Sequence, residues 1–287
     1  MAAPLFRCPA CEAPLHLDGG RYRCSAGHSF DVAREGYVNL LLAQHRHSTD
    51  PGYSKEMIAG RRDFFDAGHY QTLADWVADI VAAYLPAARE PVLIDAGCGE
   101  GYYLRRLRRR LAAADGRDDV VLCGIDISKH GIRVAAKRDP TGLYAVAGTH
   151  RMPVVANRAD VVLTHFSPIS ASDFRRVVRP GGTVVVGGPG EDHLFALKQL
   201  LYDVATQHSP ARHQPTRSLT PEAGFEPVAS ERIRYPLRLR GRGQVADLLL
   251  MTPFYWSVGQ QIRSRLAAMD ELDTEVDVVL KAYRVVR

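Results

Sequence analysis

Three glycines at alternate positions, Gly97, Gly99 and Gly101, follow the apolar run 91–94 and the acidic Asp95. An apolar run of that length reads as a buried strand, and residues 101–114 read as a helix. Glycine supplies the positive φ and the bare backbone that a tight turn and a close ligand approach require. Strand, glycine turn and helix together open a doubly wound α/β sheet. The spacing is Asp-x-Gly-x-Gly-x-Gly. It is not the Gly-x-Gly-x-x-Gly of pyrophosphate binders, and no Lys-Ser/Thr follows to hold a triphosphate. A second strand, 120–126, ends in Asp126, where a carboxylate can accept hydrogen bonds from ribose hydroxyls.

From residue 91 onward strands and helices alternate, as a mostly parallel sheet requires. Strands are expected at 91–95, 120–126, 142–147, 159–165 and 182–188, with helices near 101–114, 129–138, 170–178 and 192–206. Two further strands fall around 225–240 and 275–285, with a helical stretch around 243–268 between them, and 209–220 reads as a loop. Ahead of the sheet, Ser54 caps a helical segment through Phe65, and Thr72 a second from Leu73 to Leu85. The expected domains are 1–45, a small cysteine-bearing ribbon; 46–86, a helical connector; and 87–287, the α/β domain. The glycine turn and Asp126 together fit the S-adenosylmethionine site of a class I methyltransferase.

The chain has 287 residues and a formal charge of +5, and arginine far outnumbers lysine. Arginine suits bidentate recognition of phosphate. No apolar stretch approaches the ~20 residues that span a bilayer, and the first residues lack a signal peptide's basic start and apolar core. A cytoplasmic protein with no membrane partner is expected. Three of the five cysteines lie in the first two dozen residues. Cys8, Cys11, Cys24 and His28 form C-x2-C-x12-C-x3-H, in which two tight turns present three sulfurs and one imidazole to a single ion. That set suits structural Zn2+ and leaves no open position for water. His16, between the pairs, fits a hairpin tip better than a ligand position. The glycine turn belongs to another domain, so loss of zinc is expected to spare the cofactor site.

The metal positions and several later motifs resemble the 23S rRNA guanine-N1 methyltransferases of the RlmA type, including their macrolide-resistance relatives. The likeness covers nearly the whole chain. It runs through residues 30–40, 66–70 and 98–103, His150-Arg-Met-Pro153, Pro189-Gly-x-x-His193 and Met251-Thr-Pro-Phe254. It implies a class I S-adenosylmethionine-dependent methyltransferase with an N-terminal zinc ribbon that recognises RNA. The implied reaction is methyl transfer to N1 of a guanine in a 23S rRNA hairpin, and the likeness admits a homodimer. Cys8, Cys11, Cys24 and His28 carry over as zinc ligands, and Tyr70, Gly99, Glu100 and His193 as cofactor contacts. With Asp95, Gly97, Gly101 and Asp126 these make up the expected cofactor site. Without the likeness, Tyr70 and His193 read as packing or capping residues.

No general base is assigned. Glu100 and His165 are the nearest candidates; His165 has no counterpart in the family pattern and reads equally well as a strand-end residue. Phe166, Phe254, Tyr255 and Trp256 are candidates for stacking on a target base, with core packing the expected role of at least half. Two arginine runs, 105–110 and 232–242, and the basic residues of 37–62 are candidate RNA contacts. Two alternatives belong to other classes: a small-molecule methyltransferase, and an RNA-binding protein with an inactive cofactor fold.

Overall fold

The computed structural model describes residues 3–45, 54–87, 90–202, 215–241 and 243–286. Arg46, His47 and Arg242, residues 203–206 of the expected helix and 209–214 of the expected loop lie outside the described residues. A three-stranded antiparallel sheet is made by β1 (His16–Asp18), β2 (Arg21–Arg23) and β3 (Ser29–Asp31). The connector follows as α1 (Lys55–Asp66) and α2 (Gln71–Ala83), after a short strand β4 (Tyr37–Asn39). The alternating region is β5 (Val92–Ala96), α3 (Tyr102–Asp115), β6 (Val121–Asp126), α4 (Lys129–Arg138), β7 (Leu143–Val146), β8 (Ala159–His165), α5 (Ala171–Val177), β9 (Val178–Pro189) and α6 (Phe195–Leu201). The C-terminal part is β10 (Phe225–Arg240), α7 (Gln244–Leu250), α8 (Gln260–Ala267) and β11 (Glu271–Val285).

The large sheet has eight strands in the order β10-β11-β9-β8-β5-β6-β7-β4. Strands β4 to β9 pair parallel, and β11 enters antiparallel between β9 and β10. Every residue of β5 and β8 is buried, as expected of parallel strands covered on both faces. The chain winds outward from β5 to β7, then crosses back to β8 on the other side. That reversal opens a crevice at the carboxyl ends of β5 and β8, the place where such sheets hold ligands.

Residue alternation divides the core. Leu93, Val161, Leu163 and Val185 pack against Leu73, Val77, Leu104 and Leu107 of α2 and α3. Ile94, Ile125, Val162 and Val184 face the other way, with Phe174 of α5 and with Leu5, Phe6 and Leu15 of the ribbon. The ribbon is therefore bonded to the sheet domain: Phe6 bridges Val154, and Arg7 N–H donates to Pro153 O at 3.0 Å. The strand β4, which the turn-rich composition of the first 45 residues conceals, is a sheet edge paired with β7.

Ser54 caps α1 as expected, its Oγ accepting from Met57 N–H at 3.3 Å. The second helix differs from expectation. It begins at Gln71 with Tyr70 as its cap residue, not with Thr72. Tyr70 O accepts from Ala74 N–H, while the Tyr70 ring is buried against Phe64 and Phe65. Aromatic packing sets that start where a hydroxyl cap was expected. Among the described residues no helix is long and apolar enough to cross a membrane.

Phe174 is fully buried on the ribbon side of the sheet. Phe174→Ala is expected to lower unfolding free energy by about 3–5 kcal/mol through lost transfer energy and a residual cavity, read by urea denaturation.

Candidate active site

The glycine turn closes β5 onto α3 with three positive φ angles: +97° at Gly97, +57° at Gly99 and +76° at Gly101. A Cβ at Gly97 would lie 2.0 Å from Ser167 Oγ. Asp126, at the end of β6, holds the turn: its Oδ2 accepts from Gly99 N–H at 2.9 Å and its Oδ1 from Ser128 N–H at 2.7 Å. Gly131 of α4 lies against the same turn, where a Cβ would meet Gly99 O at 2.9 Å.

Beneath the turn three carboxylates, Asp95, Glu100 and Asp126, are buried. One guanidinium reaches them: Arg61 of α1 donates from Nε to Glu100 Oε2 at 2.8 Å. Asp95 Oδ2 and Glu100 Oε1 have no hydrogen-bond partner among the described residues. Burial, reinforced by the charge of Asp126, pushes the Asp95 carboxyl up to about 8. Burial also raises Asp126, against the hydrogen bonds it accepts.

Two cavities open on either side of Ser167 and Pro168, which line both. The larger, about 750 Å³, lies between the ribbon and the strand ends. Gly97, Asp126, Ile127 and Gly148 form one wall, and Arg7 and Pro9 the other. The smaller, about 350 Å³, is lined by Arg61, Tyr70, Phe166, His193 and Phe254 among others. His193 stacks on Phe166 at 5.2 Å and lies 6.5 Å from the Tyr70 ring. Its Nδ1 accepts from Asp277 N–H of β11 at 3.2 Å, which leaves the ring proton of the neutral imidazole on Nε2. Of the four aromatic candidates, Phe166 and Phe254 line this pocket. Trp256 is 65 % exposed and Tyr255 stacks under Arg263.

His165 lies behind this pocket, packed on Tyr103 and so close to Gly187 that a Cβ there would overlap its Nδ1. Both of its nitrogens lack partners among the described residues, and burial pushes it down to about 3, so the imidazole is neutral.

In the ribbon, one donor atom from each of Cys8, Cys11, Cys24 and His28 lies within 4.8 Å of all the others. The Cys11–Cys24 sulfurs are 3.6 Å apart. Tetrahedral Zn–S bonds of ~2.3 Å require sulfurs about 3.8 Å apart, so the donor set fits zinc in both chemistry and spacing. His16 begins β1, exposed and outside this group, in line with its reading as a non-ligand.

Residues 6–49 match the family described as RlmA, N-terminal, a zinc ribbon, and residues 94–186 match a methyltransferase domain. The chain is 35 % identical over 98 % of its length, and 97 % of the relative's, to a putative 23S rRNA (guanine-N(1)-)-methyltransferase of Micromonospora griseorubida. It is 34 % identical to a 23S rRNA (guanine(748)-N(1))-methyltransferase of Streptomyces fradiae, covering 88 % of this chain and 85 % of that one. A putative 23S rRNA (guanine-N(1)-)-methyltransferase of Bacillus subtilis, YxjB, is 31 % identical over 96 % and 95 % of the two chains. The chain belongs to the RlmA-type 23S rRNA (guanine-N1)-methyltransferases. The expected class I fold with an N-terminal zinc ribbon is the family's, and S-adenosylmethionine and Zn2+ are its cofactors.

Of the expected cofactor residues, Gly97 and Asp126 line the larger cleft and Tyr70 and His193 the smaller pocket, while Asp95, Gly99, Glu100 and Gly101 form the turn and the floor below it. The orphaned carboxylate oxygens suit a ligand carrying an ammonium group and a sulfonium. Arg61, expected from the sequence among the basic residues of 37–62, here meets Glu100, and Ser167, just past the end of the fourth strand of the alternating region, lines both cavities. The helical signal around Arg61 was readable, but its approach to Glu100 spans 39 positions.

Two measurements follow from this geometry. Folded Asp95 keeps its proton to about pH 8, whereas an ordinary aspartate releases it near 3.8. The folded state then binds the extra proton between those values, and stability falls as pH rises through that window. Asp95→Asn removes this contribution, so urea midpoints measured at pH 5 and pH 8 should differ less in the variant than in the parent. Cys11→Ala is expected to lose zinc and unfold the ribbon. Because Arg7 and Pro9 wall the cleft facing Asp126, it should also weaken S-adenosylmethionine binding, contrary to the independence expected from sequence. Metal content and calorimetric affinity check both effects.

Proposed function

We propose that this enzyme transfers a methyl group from S-adenosylmethionine to N1 of a guanine in a hairpin of 23S rRNA. The observation that carries the reading is the meeting of two pockets at Ser167 and Pro168, in a chain alike over nearly its whole length to guanine-N1 methyltransferases. The larger cleft takes the nucleoside end of the cofactor and the smaller pocket takes the target base.

The cofactor supplies a methyl group on a positively charged sulfur. Asp126 keeps lone pairs beyond those used by Gly99 and Ser128, and these accept the ribose hydroxyls. Glu100 offers its unpartnered oxygen to the methionine ammonium, whose charge would draw Asp95, protonated to about pH 8 without a cation beside it, into its carboxylate form, and Arg61 faces the methionine carboxylate. Tyr70 stays a neutral phenol, since burial raises its pKa, and lays an electron-rich ring beside the sulfonium.

The target guanine has to leave its stack to reach N1. Phe166, stacked on His193, and Phe254 provide apolar faces for the extruded base. Loss of the N1 proton to solvent leaves an anion shared between N1 and O6; N1 would then take the methyl group as its bond to the cofactor sulfur breaks, the cofactor leaving as the neutral thioether. His193 holds its proton on Nε2 and acts as a hydrogen-bond donor there, not as the base. Glu100 is tied to Arg61, and His165 stands behind Gly187. Alignment of N1 with the methyl group is therefore the main contribution of the pocket, worth several kcal/mol.

Reverse transcription across 23S rRNA treated with enzyme and S-adenosylmethionine tests the reaction. N1-methylguanine cannot pair, so a new stop at one guanine is expected, and readthrough at every guanine would defeat the reading. Asp126→Ala should weaken S-adenosylmethionine binding by about 1–3 kcal/mol. Gly99→Val, which forces a branched residue to φ +57°, should weaken it as well.

A further inference from the structure

Sequence does not show which arginines of the two runs meet acids, or what surrounds those that do not. On β10, Arg232 makes two bonds to Asp277 at 2.6 and 2.7 Å, Arg234 reaches Glu275 at 2.6 Å, and Arg240 reaches Asp273 at 2.6 Å. Carboxylates of the neighbouring β11 thus neutralise these three side chains, while Arg238 has no carboxylate partner among the described residues. That run closes a hairpin.

On α3 three of the five arginines meet acids, Arg106 with Asp75, Arg108 with Asp139 and Arg110 with Asp79, and Arg105 and Arg109 do not among the described residues. Tyr102, Arg105, Arg106 and Arg109 recur at i, i+3, i+4 and i+7, so they share one stripe while Leu104, Leu107 and Leu111 face the core. The stripe lines a pocket of about 230 Å³, closed by Asp66, the last residue of α1, and by Arg138 in the last turn of α4. Arg106 pairs with Asp75, and Arg138 pairs with Asp66 at 2.8 Å. Arg105 and Arg109 have no carboxylate partner among the described residues. Arg105 donates to a neutral acceptor, Glu100 O, at 2.8 Å. Burial lowers its pKa, and the charge of Arg138 lowers it further. Four guanidinium groups thus face two carboxylates around one cavity.

We propose that this arginine pocket binds a backbone phosphate of the substrate RNA. A partly buried guanidinium with no carboxylate of its own is costly until an anion meets it. The planar fork of arginine accepts two phosphate oxygens at once. Position favours the RNA over an unrelated anion. Phe65 stacks on Tyr102 at 4.2 Å and lines both this pocket and the base pocket, so the two cavities lie back to back across one ring. The assignment rests on the RNA-methyltransferase reading.

The test is a salt titration of binding to a 23S rRNA transcript by the full-length, zinc-loaded protein. Parent, Arg109→Gln, Arg105→Gln/Arg109→Gln and Arg240→Gln are compared. Each phosphate contact adds about 0.9 to the slope of log affinity against log salt. The double variant should bind about tenfold more weakly at 0.1 M salt, with a slope shallower by about 1. Arg109→Gln, at an exposed position, should move in the same direction and guards against misfolding of the double variant. Arg240→Gln removes the same charge from an ion-paired site and should leave the slope unchanged. Equal slopes in parent and both pocket variants overturn the proposal. So does loss of thermal stabilisation by inorganic phosphate in the pocket variants with no change in RNA slope, which would make this a free-anion site. The parent's reverse-transcription stop is scored in parallel. A stop with equal slopes removes only the pocket, whereas absence of a stop removes the methyltransferase reading and the pocket with it.

Discussion

Three carboxylates share one guanidinium beneath the glycine turn, and much of the molecule is arranged around that imbalance. Asp95 ends β5, Glu100 sits within the turn and Asp126 ends β6, so parallel pairing of β5 with β6 brings the acids together. Burying them is unfavourable. The fold offsets part of this with backbone N–H groups on Asp126 and with Arg61 on Glu100, and leaves Asp95 Oδ2 and Glu100 Oε1 without hydrogen-bond partners among the described residues. The connector therefore reaches the floor of the turn, because its first helix carries the guanidinium that, among the described residues, meets Glu100.

The antiparallel β11 is a second organiser. Its backbone holds the turn after β9 through Asp277 O to Gly190 N–H at 2.8 Å and Glu275 O to Leu194 N–H at 2.8 Å. The Asp277 carboxylate accepts from Asp192 N–H at 3.0 Å while gripping Arg232. Through these bonds the last strand sets the position and tautomer of His193, 84 positions earlier. Arg232 of β10, through Asp277, thereby braces the turn that carries His193.

The ribbon contributes in a comparable way. Its hairpins are too small to bury a core of their own, yet Phe6 and Leu15 are fully buried because they pack on the sheet's second face. Metal holds the ribbon together, and that contact turns it into the second wall of the larger cleft.

Much of this was legible in the chain. The glycine turn, Asp126, the four zinc ligands and the alternation of strands and helices were readable because backbone sterics and periodicity act within a few residues. Cys-x2-Cys brings its donors together through a single tight turn, and a glycine required at positive φ is visible wherever it stands. Tertiary structure alone decided the rest. Arg61 meets Glu100, Asp277 orients His193, and acids on β11 pair with Arg232, Arg234 and Arg240, while among the described residues Arg105 and Arg109 on α3 have no carboxylate partner. Each of these depends on strand order and helix placement across tens of residues, and the local pattern around such a side chain is the same whether its partner arrives or not.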